Sequence, residues 1–318
     1  MPSNPGPAEL AEYCELVTAR VCALAGGLAA PVRAPVLDLA GRPGKSLRPM
    51  LVAACGGLGT PDPGRLVRLG AVVELVHIAS LLHDDILDQA VTRRGGPAAH
   101  VVIGRELATL AGLACFSLVG SEAADLGEGI SLLVGRAVAA LSYGEILDLE
   151  RAFDITLPVS AYLELAGRKT GELFRLSCVL GAAEARLPPD AARALARFGT
   201  RLGTAFQVLD DCLDLRASAD GKPVGTDHVL GLFGAPTVFA LGRDTTSELT
   251  GLLLSPDFSA AQLPRVRDLV TGYGGLRAAD RLARQQHRRA LAALGDLAPG
   301  PGRDLLGYVA GLAWRERA

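Results

Sequence analysis

The sequence predicts an all-α fold, a single-domain helical bundle with its active site in a central cavity between facing helices. Three observations predict it. Apolar residues recur at helical spacing along most of the chain, and no stretch alternates in the two-residue period of a strand over a useful length. Prolines flank or open the helical runs, at Pro61, Pro63, Pro158 and Pro188–Pro189, where a missing amide hydrogen is tolerated. No internal segment rich in proline, serine or charge marks a linker, so 318 residues suit one large domain.

The elements follow in order. Residues 1–7 are expected to be disordered, and 8–318 to form the domain. Leu10, Leu16, Val17, Val21 and Leu24 space a helix from Ala8 to about Leu28. Gly41-Arg42-Pro43-Gly44 is a turn, and Ser46 to Ala54 a short helix. A long helix begins near Pro63 and runs to about Asp88. Further helices are expected at roughly 100–123, 129–153, 158–182 and 189–215. Residues 216–235, rich in Gly, Ala, Ser and Asp, read as a loop. Helices resume at about 236–254, 262–272, 276–294 and 302–315.

Composition excludes several classes. A net charge of −2 argues against a nucleic-acid binder. The longest apolar stretch, Leu107 to Gly120, is too short and too rich in small residues to span a membrane. The N-terminus lacks a basic and apolar signal pattern, so a cytoplasmic location is expected. The six cysteines show no Cys-x-x-Cys spacing, which fits buried thiols in a reducing compartment.

Chemistry concentrates where the long helix ends. Asp84 and Asp88 are four apart, so a helix sets both carboxylates on one face, with Asp85 beside them. Like charges so placed repel. A fold keeps them readily if cations sit among them, and oxygen-only ligation points to Mg²⁺ held jointly by carboxylates and a substrate phosphate. Arg93 and Arg94 follow within a few residues and suit phosphate oxygens. Taken alone, a solvated acidic helix end explains the cluster as well. The spacing then repeats at Asp210-Asp211-Cys212-Leu213-Asp214, again closing an apolar run. Two helices could aim both clusters into one cavity, a site for several divalent ions and a diphosphate.

Other groups are weak singly. Lys45 and Arg48 stand three apart near a helix start, which is also what an ordinary basic turn does. His77 lies two turns before Asp84, where a lone histidine is more often a core residue than a ligand. Lys169-Thr170-Gly171 sits within an apolar helix, and Lys222 in the loop after the second cluster.

In this order the residues resemble the all-trans isoprenyl diphosphate synthases of the polyprenyl synthetase family. Ser80 to Asp88 is similar to the family's first aspartate-rich motif, and Thr92-Arg93-Arg94-Gly95 to its arginine pair. Lys169-Thr170 matches its Lys-Thr element, and Phe206 to Asp214 its second aspartate-rich motif. Leu305 to Arg315 looks like its last helix. The resemblance implies an isoprenoid synthase-like fold, a homodimer and about three Mg²⁺ per site. The metals would be held by Asp84, Asp85, Asp88, Asp210, Asp211 and Asp214. Arg93, Lys169 and Lys222 would neutralise an allylic diphosphate, and Thr170 and Gln207 would offer oxygens near the cation left by ionisation. Isopentenyl diphosphate would be held by Lys45, Arg48, His77 and Arg94; its double bond attacks the cation, and the released proton goes to pyrophosphate.

Three departures stand out. Leu232 occupies a position where the family offers a lysine, Leu113 follows Gly112 where Gly-Asp is usual, and the Gly144 to Asp148 motif mixes long-chain and short-chain features. Ser80, Ala79 and Val76 lie four, five and eight positions before Asp84, and the first two are small. This favours an open tunnel and a product longer than twenty carbons, with geranylgeranyl diphosphate as the alternative. Phe116 or Phe174 could floor the pocket instead. A terpene cyclase and a poorly active subunit of a hetero-oligomer are the rival classes.

Overall fold

The computed structural model describes residues 7–42, 44–216 and 226–315, and those residues are mostly helical. The expectation for the N-terminus, Pro7 apart, and the position of Lys222 lie outside them. In chain order the helices are α1 (Pro7–Ala25), α2 (Ala30–Gly41), α3 (Leu47–Gly56), α4 (Pro63–Leu87), α5 (Ala99–Ile103), α6 (Arg105–Leu126), α7 (Glu128–Glu150) and α8 (Val159–Ala166). They continue with α9 (Glu172–Glu184), α10 (Pro189–Leu215), α11 (Ala235–Leu241), α12 (Glu248–Leu253), α13 (Leu263–Gly272), α14 (Gly275–Ala293) and α15 (Pro301–Arg315). Between α4 and α5 a minimal hairpin pairs β1 (Thr92–Arg93) with β2 (Gly96–Pro97), antiparallel, with Arg93 opposite Gly96.

The chain divides into two compact units. The first holds 1–138, 173–197 and 293–309. Its axis is α4, which packs against α1, α3 and α6. Leu69, Val73, Ile78 and Leu82 on α4, with Tyr13 and Val17 on α1 and Leu51 on α3, are fully or almost fully buried. The helix starts where the sequence dictates: Asp62 accepts a hydrogen bond from the Arg65 amide at 2.8 Å, and Pro63 occupies the first turn. The second unit holds 139–172, 198–292 and 310–318. Its core gathers Leu209, Val238, Leu249, Val266, Val270 and Ala279, with Trp314 packed against it.

The helix map differs from the sequence reading in five places, one being the run expected at 100–123, which breaks at Gly104, φ 82°, into α5 and α6. The short helix α2 stands where the sequence reading placed no element; it forms, with Pro35 inside it, because Val32, Pro35, Val36 and Leu39 share a buried face. The run expected at 158–182 is interrupted by a π-helical turn, Gly167–Gly171, between α8 and α9. The run expected at 236–254 breaks into α11 and α12, with Ser247 in left-handed geometry at φ 57°. The hairpin is too short to leave an alternating pattern. By length and composition alone, α4, α6 and α7 are each apolar enough to cross a membrane, which corrects the expectation drawn from the uninterrupted Leu107–Gly120 run. The most apolar part of α4 is 61% buried inside the protein.

Candidate active site

In the first unit, α4 ends at the first aspartate cluster. The Asp88 amide bonds to the Asp84 carbonyl at 2.7 Å, and Gln89 turns left-handed at φ 53°. The Ala90 amide then reaches back to the Asp85 carbonyl at 3.0 Å, which closes the helix end as a Schellman motif with Gln in place of Gly. Three carboxylates at the negative end of a helix oppose the helix dipole as well as each other. Such an arrangement, kept against its local cost, marks a functional site.

The hairpin brings the arginines back to the acids. Arg94 and Gly95 both have positive φ, 48° and 77°, the geometry of a two-residue type I′ turn. Arg42 braces the hairpin through the carbonyls of Arg93 at 2.7 Å and Pro97 at 3.0 Å. Arg93 bonds Asp85 Oδ1 through Nε at 2.6 Å and Nη2 at 2.5 Å, and Asp85 is 1% exposed. Burial alone would lower the Arg93 guanidinium, but the bond to Asp85 and the charges of Asp85, Asp84 and Asp88 outweigh it and raise it. Asp84 and Asp88 are only half-buried.

Arg94 pairs with Glu74 at 3.3 Å and donates to the Leu39 carbonyl. Its guanidinium lies against Gly44, 3.1 Å from where a Cβ would stand. Arg48 lies over the Phe174 ring at 5.1 Å, and Lys45 is exposed. His77 is held well below its ordinary 6.5, first by burial and then by the positive charges of Arg48, Arg94 and Arg93. At neutral pH its imidazole is therefore uncharged. The first unit thus groups Asp84, Asp85, Asp88, Arg48, His77, Arg93 and Arg94.

In the second unit α10 ends at the other cluster. Asp211 is bound on both oxygens: Tyr162 donates at 2.6 Å, the Ala235 amide at 2.8 Å and the Gln207 amide group at 2.8 Å. Its carboxyl is raised to about 6, first by burial and also by the Asp210 charge, against the downward pull of the three donors. Asp210 and Asp214 are half-buried. Thr170 donates its hydroxyl proton to Gln207 Oε1 at 2.5 Å. Thr170 and Lys169 both sit in the π turn, a feature common at functional sites. Lys169 pairs with Asp148 at 2.7 Å and Glu145 at 3.1 Å. Gly144 allows that approach, since a Cβ there would stand 2.9 Å from the Lys169 backbone nitrogen.

Among the described residues no three His, Cys, Asp or Glu side chains close on one metal point. The donor set still fits Mg²⁺, which takes one or two carboxylates and completes its shell with water and substrate phosphate. Asp84 with Asp88, and Asp210 with Asp214, are i, i+4 oxygen pairs of that kind. Sequence reasoning missed Glu74, which lies one turn before His77, and Tyr162, for which the sequence offers no signal.

The polyprenyl synthetase family model matches residues 30–265. The chloroplastic solanesyl diphosphate synthase 1 of Arabidopsis thaliana is 33% identical over 88% of this chain and 72% of its own. The nonaprenyl diphosphate synthase of Mycobacterium tuberculosis is 32% identical over 85% and 82%. Among solved structures, the decaprenyl diphosphate synthase of Rhodobacter capsulatus has a TM-score of 0.89 at 29% identity, covering 98% of both chains. The polyprenyl synthase of Caulobacter crescentus, complexed with calcium and isoprenyl diphosphate, has a TM-score of 0.84 at 31% identity, covering 98% of this chain and 95% of its own. The chain belongs to the polyprenyl synthetase family and is a prenyltransferase.

Proposed function

We propose that the protein condenses an allylic diphosphate with isopentenyl diphosphate, head to tail, to a product longer than C20, with residues 8–318 acting as one catalytic domain. The observation that carries this is the grouping of Arg48, His77 and Arg94 beside the first aspartate cluster. A cyclase has no second diphosphate for such a group to hold. Relatives named solanesyl diphosphate synthase, nonaprenyl diphosphate synthase, heptaprenyl diphosphate synthase component 2 and decaprenyl-diphosphate synthase subunit 1 support the long product.

Asp84, Asp85, Asp88, Asp210, Asp211 and Asp214 would hold Mg²⁺, about three ions per site, with Asp85 and Asp211 also bracing their clusters through Arg93 and Tyr162. When bound, the metal supplies positive charge for the departing pyrophosphate. Arg93, Lys169 and Lys222 neutralise the allylic diphosphate, so Lys169 must loosen from Asp148 and Glu145 to reach it. Thr170, with its proton given to Gln207, turns oxygen lone pairs to the allylic cation. Lys45, Arg48, His77 and Arg94 hold isopentenyl diphosphate, and neutral His77 donates a hydrogen bond without adding charge. The proton lost after attack passes to pyrophosphate.

The enzyme acts as a homodimer in the cytoplasm. Exposed Leu110 and Leu113 on α6, and Tyr143 and Ile146 on α7, support the dimer, and six free cysteines support a reducing compartment. Labelled isopentenyl diphosphate, Mg²⁺ and each allylic primer, followed by product analysis, test the reading. Elongation past C20 is expected. A stop at C20 makes it a geranylgeranyl diphosphate synthase, as is the structurally similar Lactobacillus brevis enzyme, TM-score 0.90. A hydrocarbon or alcohol overturns the proposal.

A further inference from the structure

The second aspartate cluster is held by a residue that no motif names. Tyr162 on α8 is 3% exposed, and its hydroxyl lies 2.6 Å from Asp211 Oδ2. The same oxygen accepts the Ala235 amide at the first residue of α11, and the other oxygen accepts Gln207 from the preceding turn of α10. Gly234 makes the approach possible: a Cβ there would stand 2.8 Å from the Asp211 carboxyl. Asp211 therefore ties the end of α10 to α8 and to the start of α11.

We propose that Tyr162 is a positioning residue for metal binding: by holding Asp211 it fixes the direction in which Asp210 and Asp214 present their carboxylates to divalent cations and pyrophosphate. This rests on the role given above to Asp210 and Asp214. On a helix Asp210 and Asp214 lie within roughly 40° of each other, and Asp211 stands roughly 60° from Asp214 and 100° from Asp210. Locking Asp211 sets the rotation of the last turn, so it sets both flanking carboxylates. The restraint matters because three like charges at a helix C-terminus favour fraying. The first cluster is braced by the Arg93 cation, whereas this one is braced by neutral donors and keeps its negative charge for the metal.

The test is titration calorimetry of Mg²⁺ into the full chain with inorganic pyrophosphate, for wild type, Tyr162→Phe and Leu165→Ala. Leu165 is buried on the same helix, and its aliphatic side chain cannot hydrogen-bond a carboxylate. Losing one hydrogen bond to a charged group corresponds to about tenfold. Tyr162→Phe is expected to weaken Mg²⁺ binding about tenfold and to lower kcat similarly, with KM for isopentenyl diphosphate unchanged. Leu165→Ala is expected to lower Tm while leaving Mg²⁺ affinity within twofold. Affinity within twofold in Tyr162→Phe, or an equal shift in both variants, overturns the role. Should Tyr162→Phe not fold, Gly234→Ala disturbs the same carboxylate from the other side, and unchanged affinity there overturns it equally. Wild type that binds Mg²⁺ and pyrophosphate but never elongates sinks the condensation reading and leaves this one standing. Wild type that binds neither sinks both.

Discussion

At the scale of the residue, one aspartate in each cluster has a partner that braces it. Asp85, 1% exposed, holds Arg93, and Asp211, half-buried like Asp84, Asp88, Asp210 and Asp214, holds Tyr162 and the start of α11. Asp84→Ala and Asp210→Ala should each lower kcat by about 10²–10³, the loss seen when one preorganised electrostatic partner is removed. Each removes a like charge at a helix C-terminus, so metal-free Tm should stay level or rise. Near-normal turnover, or unfolding of both variants, would refute the assignment. Leu232 is half-buried, and its amide bonds to the Asp227 carbonyl at 2.9 Å. Leu232→Lys restores the family's cation and should lower KM for the allylic primer; a rise would show that this turn presents its side chain elsewhere.

At the scale of the element, α4 joins the site to the stability of its unit. Ala79 and Val76 are fully buried, so no accessible space adjoins them, whereas Ser80 is half-buried and bonds the His77 carbonyl at 2.9 Å. The length argument therefore moves from Ala79 to Ser80. Ser80→Phe should shorten the main product by at least one isoprene unit while sparing the first condensation. Ala79→Phe should instead cost about 1–3 kcal/mol by overpacking. A product distribution unmoved by Ser80→Phe would free this helix face of any ruling function. Farther up α4, Arg68 joins Arg20 of α1 on Glu122 of α6, at 2.7 Å each, and the Glu122 side chain is 2% exposed. Burial alone would raise the Glu122 carboxyl, but the hydrogen bonds from Arg68 and Arg20 outweigh it and hold it below its usual range. A carboxyl lowered by folding stabilises above its unfolded value and loses that as pH falls through the folded one. Glu122→Gln should thus cost about 2 kcal/mol near neutrality, less than a fully buried pair because both arginines reach solvent. The gap between variant and wild type should narrow below about pH 4 in denaturant titrations.

At the scale of the whole molecule, exposed leucines on α6 and exposed Tyr143 and Ile146 on α7 leave apolar surface that the chain itself does not cover. Light scattering should give twice the chain mass, and Leu113→Glu should reduce it to one. A wild-type mass of one chain would remove the dimer from the reading.

The sequence by itself determined the fold class, the family and the identity of nearly every candidate site residue. Those are local properties: helical period, a repeated Asp-Asp-x-x-Asp spacing, two arginines one hairpin downstream. It also fixed the capped start of α4, since Asp62 and Pro63 act within one turn. The pairings were decided by tertiary structure, because they join residues far apart in the chain. Nothing in the order of residues brings Tyr162 to Asp211, Lys169 to Asp148 and Glu145, or Arg94 to Glu74. Nor does local propensity make a helix of Ala30–Gly41 with Pro35 inside it, or open a π turn at Gly167–Gly171. Burial of a shared apolar face decides the first. In the second unit a Cβ on Gly171 would stand 3.0 Å from the Thr200 carbonyl oxygen, so glycine lets the turn pack close to that backbone, which a linear sequence cannot display.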